Sequence, residues 1–464
     1  MREVSTMLRV LQVSLLILLL ANSACKSWGK FWQTEIQYPA NPLLVTQNVA
    51  MTAATPTMPG AARSCSISPA LPEGLSLASD CTISGTPTKG QGALPYKVTA
   101  DIGSDTVSGE LRIRVLFQPR FVYATNIGDT NISLFSIDSA TGALTFQSNY
   151  ATGNSPRFVV RDPAGKFIYV ANWNGSSISA FTINQTTGAL TAVSGSPFST
   201  SAFPYSLSCD PEGKFLFAGH EDAGVAAVSA YTINAVTGAL TAVSGSPFAA
   251  AAGATPVSVY VSPDGKHLYA GSSQALGNPN TFGYAINPET GALTQLTGSP
   301  FGELNNGISV FVEPTGKHVY FAQYNGDTVG YARDSTSGTL SLLATSPFAT
   351  GAAPTFITGD ANSRYIFVAN SGDTIGTSGL TGYSIGANGS LSALAGSPFT
   401  TGKNPASIAI DETSRFMYVV GTGETNPTVD PIFAYQFQSG ALSFIATYSA
   451  GVDAASLTIA GSNP

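Results

Sequence analysis

Apolar and polar residues alternate over short stretches of this chain, and almost nowhere do apolar residues recur at the period of about 3.6 that marks a helix. Runs such as Tyr96-Lys97-Val98-Thr99-Ala100, Glu110-Leu111-Arg112-Ile113-Arg114-Val115 and Phe167-Ile168-Tyr169-Val170-Ala171 are bounded by Pro, Gly, Asn and Asp, residues that turn strands back on themselves. The pattern predicts an all-β protein.

From about residue 120 onward the pattern repeats. A turn Thr-Gly-Ala-Leu, or a near variant, places its glycine at Gly142, Gly188, Gly238, Gly291, Gly338, Gly389 and Gly440, at spacings of 46, 50, 53, 47, 51 and 51 residues. Spacings in this range suit one propeller blade per repeat. A second turn precedes the interior copies, in Asp162-Pro163-Ala164-Gly165-Lys166, Asp210-Pro211-Glu212-Gly213-Lys214, Ser262-Pro263-Asp264-Gly265-Lys266 and Glu313-Pro314-Thr315-Gly316-Lys317, with variants at Asp360 and Asp411. Proline presets φ in such a turn and glycine accepts positive φ. The second repeat then reads as four strands, at 157–161, 167–171, 178–184 and 190–193, which is one blade. Phe121-Val122-Tyr123-Ala124 matches a second strand with no first strand before it, and Ala455-Ser456-Leu457-Thr458-Ile459 matches a first strand. The C-terminus is therefore expected to complete the N-terminal blade and close a seven-bladed ring of four-stranded blades.

Turn lengths point to a working face. Connections between first and second strands and between third and fourth strands scarcely vary, whereas those after second strands range from Tyr324-Asn325-Gly326-Asp327 to the long Gly421–Pro431 segment. Variable loops on a rigid ring suit recognition. Second strands end at Asn126, Asn172, His220, Ser272, Gln323, Asn370 and Gly421. Two readings stay open for them: a polar ring at the channel mouth, with Asn126, Asn172, His220, Gln323 and Asn370 as binding residues, or side chains that cap turns. His220 stands beside Glu221 and Asp222, so an imidazole next to carboxylates is the candidate for acid–base or cation chemistry. His267 and His318 take the place that Phe167 and Phe215 hold in other repeats and are expected to be structural.

The 464 residues carry a net charge of −7, only 10% charged residues and scattered lysines and arginines, which removes the footprint for phosphate backbones; no nucleic-acid partner is expected. Arg2 and Arg9 precede an apolar run, Leu11 to Ala21, about half of what a membrane span needs, so residues 1–25 read as an export signal, followed by a linker at 26–35. Cys65 and Cys81 are spaced to bridge, whereas Cys209 lies alone in an alternating strand and reads as a small core residue. No phosphate loop, nucleophile elbow or metal motif is found, so no cofactor and no metal are expected.

Three resemblances refine this. Ala21-Asn22-Ser23-Ala24-Cys25 resembles a bacterial lipobox, although Asn22 stands where the family usually has leucine; it implies either lipidation of Cys25, with a membrane tether, or ordinary cleavage near Ala24. The stretch Ile67-Ser68-Pro69-Ala70-Leu71-Pro72-Glu73-Gly74-Leu75-Ser76-Leu77, with Thr82 to Thr88, resembles the immunoglobulin-like domains of bacterial surface proteins, which implies a β-sandwich over 36–117 acting as a stalk or adhesive module. Cys65 and Cys81 are additions that flank its core motif. Tyr169-Val170-Ala171-Asn172 and Phe367-Val368-Ala369-Asn370 resemble the strands of lactonase-type propellers, among them 6-phosphogluconolactonase-like and YVTN surface-layer proteins, over 118–464. Enzymatic relatives tend to place a histidine in a first strand, after Pro or Pro-Arg. Here those strands begin Pro156-Arg157-Phe158, Pro204-Tyr205, Pro256-Val257, Gly307-Ile308, Pro354-Thr355 and Pro405-Ala406. The expectation is an exported, monomeric binding or surface scaffold for an extracellular ligand, carbohydrate or protein. The alternative is a lactone hydrolase using His220, Glu221 and Arg157.

Overall fold

The computed structural model describes residues 34–103, 105–221, 227–250, 254–273, 281–302, 306–372, 378–401, 404–422 and 430–461. The segment expected to be an export signal, Cys25, most of the expected 26–35 linker, Asp222 and most of the Gly421–Pro431 loop lie outside these described residues. Among them there is no helix. The chain divides into two compact units, one taking residues up to Thr88 and Pro95–Ile113, the other Lys89–Leu94 and Arg114 onward.

In the first unit a sheet runs in the order Leu43–Thr46, Thr106–Leu116, Gln91–Asp101, Ser64–Ser68, and Leu75–Leu77 pairs with Ile83–Gly85. Alternation decides the core: Tyr96, Val98 and Ala100 from one long strand and Leu111 and Ile113 from the next are buried, while Lys97 between them is exposed. A disulfide joins Cys65 to Cys81, with Cα atoms 5.3 Å apart. Closing a loop of this length stabilises by about 3 kcal/mol.

The second unit is a ring of seven sheets, each built on four strands, and three of them add a two-residue fifth strand at Phe198–Ser199, Phe248–Ala249 and Phe399–Thr400. In blade 2 the order is Pro156–Arg161, Phe167–Asn172, Ser177–Ile183, Leu190–Ala192, all antiparallel. Blade 1 draws its inner strand, Ala454–Ala460, from the C-terminus and pairs it with Phe121–Asn126, from Ala454 opposite Asn126 to Ala460 opposite Phe121. Second strands are buried along their whole length between neighbouring blades, which is why they read Phe-Ile-Tyr-Val-Ala rather than alternating.

The recurrent residues hold one blade to the next. Second-strand tyrosines donate to the carbonyl of the turn glycine in the following blade: Tyr123 to Gly188 (2.6 Å), Tyr169 to Gly238 (3.1 Å), Tyr269 to Gly338 (2.7 Å), Tyr320 to Gly389 (2.8 Å) and Tyr418 to Gly142 (2.9 Å). Gly238 itself has φ of 76°, and a Cβ there would meet the ring of Phe167. No other residue fits both demands. In the other recurrent turn the Asp162 carboxylate accepts the N–H groups of Lys166 (2.6 Å), Phe167 (2.7 Å) and Ala164 (3.1 Å), closing the hairpin.

His267 and His318 lie where phenylalanine lies elsewhere, against Gly338 and Gly389. His267 is buried, and its Nδ1 accepts from Arg333 Nη2 (2.6 Å), while Arg333 pairs with Asp264 (2.7 Å) and donates to the Tyr269 hydroxyl (3.0 Å). Burial and the Arg333 charge push the imidazole down to about 4. Near Glu313 burial acts upward, but hydrogen bonds from His318, Ser363 and Thr315 prevail and hold the carboxyl at about 2.

Two outcomes are expected. Ending the chain at Gly451 removes the closing strand and exposes an edge of blade 1, so chemical denaturation should report several kcal/mol lower stability; an unchanged midpoint would show that closure is dispensable. Because the folded pKa of His267 lies below its unfolded value near 6.5, its contribution is present above pH 6.5 and is lost as pH falls toward 4. His267→Phe should flatten the acid limb of stability between those values by on the order of 2–3 kcal/mol, measured as unfolding midpoints across pH.

Candidate active site and its relatives

A cavity of about 820 Å3 follows the channel axis of the second unit, walled by the inner strands of all seven blades. Six of the seven inner strands, those of blades 1, 2, 3, 5, 6 and 7, carry a bulge just after the first residue, as between Pro156 and Phe158 or Pro204 and Ser206. The bulged residues Arg157, Tyr205, Ile308, Thr355, Ala406 and Ala455 border the cavity at the end where the variable loops lie. Re-aiming a side chain is what such bulges do.

At this end Arg157 Nη2 donates to the Tyr205 hydroxyl, and the guanidinium carbon sits 3.9 Å from the centre of the Tyr205 ring. No carboxylate of the described residues forms an ion pair with Arg157. Glu221, Asn306 and Tyr324 border the same end, and Asn306 Oδ1 is buried without a hydrogen-bond partner. Halfway down, Phe158 of blade 2 and Phe356 of blade 6 face each other across the axis with ring centres 6.3 Å apart.

The opposite end carries a cluster that the repeat pattern alone did not single out. Glu412 Oε1 accepts from Arg114 Nη2 (2.8 Å) and from Arg161 Nη2, and its Oε2 accepts the N–H of Phe117 (2.8 Å). Burial acts to raise the Glu412 carboxyl, and the guanidiniums of Arg161 and Arg114 outweigh it and lower it. Glu412 stands in the second-turn position held by Pro163, Pro211, Pro263, Pro314 and Ala361 in the other blades, so its signal was a break in a repeat. Cys209 lines the same end as a free thiol, pushed well up by burial and then by Asp162 and Asp210, which leaves it unreactive.

Asn126, Asn172, His220, Gln323 and Asn370 do not border the cavity. They are buried inside their own blades: Asn126 Nδ2 donates to Ser133 (2.8 Å), Asn172 Nδ2 to Ser179 (2.9 Å), Gln323 Nε2 to the Asp327 carbonyl (2.9 Å) and Asn370 Nδ2 to Thr381 (3.0 Å). His220 is fully buried with Nε2 2.8 Å from Ser229 Oγ. The third-strand hydroxyls in turn hold the crossovers, as Ser179 Oγ accepts Gly153 N–H (3.0 Å) and Thr381 Oγ1 accepts Gly351 N–H (3.2 Å). Asn172 and Asn370 are thus linked through the third strand to their crossovers, while Gln323 closes its own loop. Of the three catalytic candidates, the cavity wall brings Arg157 and Glu221 to one end and leaves His220 within blade 3. Among the described residues no group of three or more His, Cys, Asp or Glu could hold a metal ion.

The sequence matches the family "Lactonase, 7-bladed beta-propeller" over residues 86–199, 246–346 and 330–424, more than half of its length. The chain belongs to this lactonase propeller family. Residues 35–116 match the family "Putative Ig domain". No curated protein matches the chain. Among solved structures, a "putative 6-phosphogluconolactonase" from Bacteroides fragilis is 18% identical with a TM-score of 0.59, covering 74% of this chain and 98% of that one. The periplasmic gluconolactonase of Pseudomonas aeruginosa is 20% identical with a TM-score of 0.58, covering 74% and 99%. These likenesses carry the fold.

Removing the carboxylate from the lower cluster leaves two guanidiniums facing each other. Glu412→Ala should therefore destabilise by about 3 kcal/mol, read as a lower denaturation midpoint, with Glu412→Gln in between; equal midpoints for all three proteins would show that the ion pairs contribute nothing.

Proposed function

We propose that this lactonase-family propeller is exported and acts outside the cytoplasm as a non-catalytic binding scaffold, with the Arg157 end of the channel as its ligand seat and the immunoglobulin-like unit as a stalk or adhesive module. One observation carries the reading: the cavity offers a stacked guanidinium without a carboxylate partner, and no histidine borders it among the described residues. A guanidinium backed by Tyr205 is pre-organised to receive an oxyanion, while no imidazole stands on the described wall to activate water. An anion-bearing sugar such as gluconate fits that seat.

Glu221 keeps a second reading open, because it borders the cavity with Arg157 and a carboxylate can serve as a general base. That reading is a lactone hydrolase, in keeping with the gluconolactonase of similar fold.

Purified protein should hydrolyse glucono-δ-lactone and 6-phosphogluconolactone no faster than buffer. Calorimetric titration with gluconate should detect binding that Arg157→Ala weakens by roughly tenfold or more. Hydrolysis above buffer that Glu221→Gln abolishes would establish the hydrolase instead.

A further inference from the structure

We propose that the ligand of the Arg157 end is a carbohydrate chain, with sugar units outside the channel stacked on Phe203 and Tyr324. The inference rests on reading that end as a ligand seat and adds what lies beyond it.

Of the large apolar side chains exposed among the described residues, two aromatic ones stand at this end of the ring. Phe203 is 38% exposed and Tyr324 43% exposed. Both stand at this end of the ring: Tyr324 borders the cavity, and the Phe203 carbonyl accepts the N–H of Glu221 (3.0 Å), which also borders it. They come from blades 3 and 5, with blade 4 between them along the rim. Phe203 is held from behind by Trp173, ring centres 5.6 Å apart. The same end of the cavity carries groups that recognise hydroxyls and carboxylates: Arg157, Glu221, and Asn306 with its unpartnered Oδ1.

A pyranose presents a C–H face and a rim of hydroxyls. The C–H face covers an aromatic ring, recovering burial, and the rim needs donors and acceptors at the sides, which is the arrangement present here. Two platforms on blades 3 and 5 ask for more than one sugar unit. A protein partner would need a contiguous buried apolar centre, whereas these two rings stand on different blades beside polar groups.

Native electrophoresis in gels containing laminarin, xylan or polygalacturonate tests this directly. At least one polysaccharide should retard the full-length protein, and the double variant Phe203→Ala/Tyr324→Ala should lose at least tenfold in apparent affinity with an unchanged circular-dichroism spectrum. Retardation by none of the three, or equal retardation of the variant, overturns the proposal. Gluconate titration of the same samples separates the two readings. Gluconate binding that depends on Arg157 while no polysaccharide is retarded leaves the seat standing and removes the chain. Polysaccharide retardation that is lost in the double variant, with gluconate binding retained there, supports the chain.

Discussion

An inner propeller strand has one edge with no further strand beside it, and the N–H groups on that edge need acceptors near the channel axis. In this ring serines of the preceding blade supply them. Ser206 Oγ accepts Val259 N–H (3.0 Å), Ser258 Oγ accepts Val310 N–H (2.9 Å), Ser309 Oγ accepts Ile357 N–H (3.1 Å) and Ser456 Oγ accepts Val159 N–H (3.4 Å). The belt fixes how closely the blades approach, and so the bore of the channel. Ser407 occupies the same position, but its hydroxyl finds no partner. The remaining two positions of the belt are Phe158 and Phe356, whose rings meet across the axis. The same repeat position thus stitches blades together in four places, leaves the Ser407 hydroxyl unpaired in a fifth, and fills the bore from the other two.

Function at both ends arises in the same way, by departure from the repeat on a wall that the repeat keeps rigid. Tyrosine hydroxyls on the turn glycines and aromatic rings beneath those glycines fix each blade against the next. Against that regular background Arg157 and Tyr205 stand where other blades place Ile308, Ala406 or Ala455, and Glu412 stands where others place proline or alanine. The arginine at the loop end lacks a carboxylate partner among the described residues; those at the far end share Glu412. The first is the charge on which the proposed ligand seat rests, and the others hold structure.

The repeat and its closure were legible in the sequence because they depend on local chemistry: glycine at positive φ, a carboxylate closing a hairpin, a buried second strand. The direction of side chains was harder to read. Asn126, Asn172 and Asn370 end strands at the loop face, yet the pleat and the crossover glycines turn them inward to the third strand. His220 occupies the same position and shares that fate. Arg157, by contrast, reaches the cavity through a bulge, which shifts the alternation by one residue and leaves no mark in the hydrophobic pattern. Arg161, Arg114 and Glu412 are brought together from three distant segments, and only the break at Glu412 in the second turn hinted at it.

Closure by Ala454–Ala460 also sets an order of events in time. The partner strand, Phe121–Asn126, emerges first, and its own blade stays one strand short until the last residues of the chain arrive more than 300 positions later. Contacts between segments so far apart are slow to form, and the intervening six blades must hold their places without the seam that joins them. A ring built this way reaches its final rigidity all at once, when Ala454–Ala460 pairs with Phe121–Asn126, so the channel comes into being only at that step.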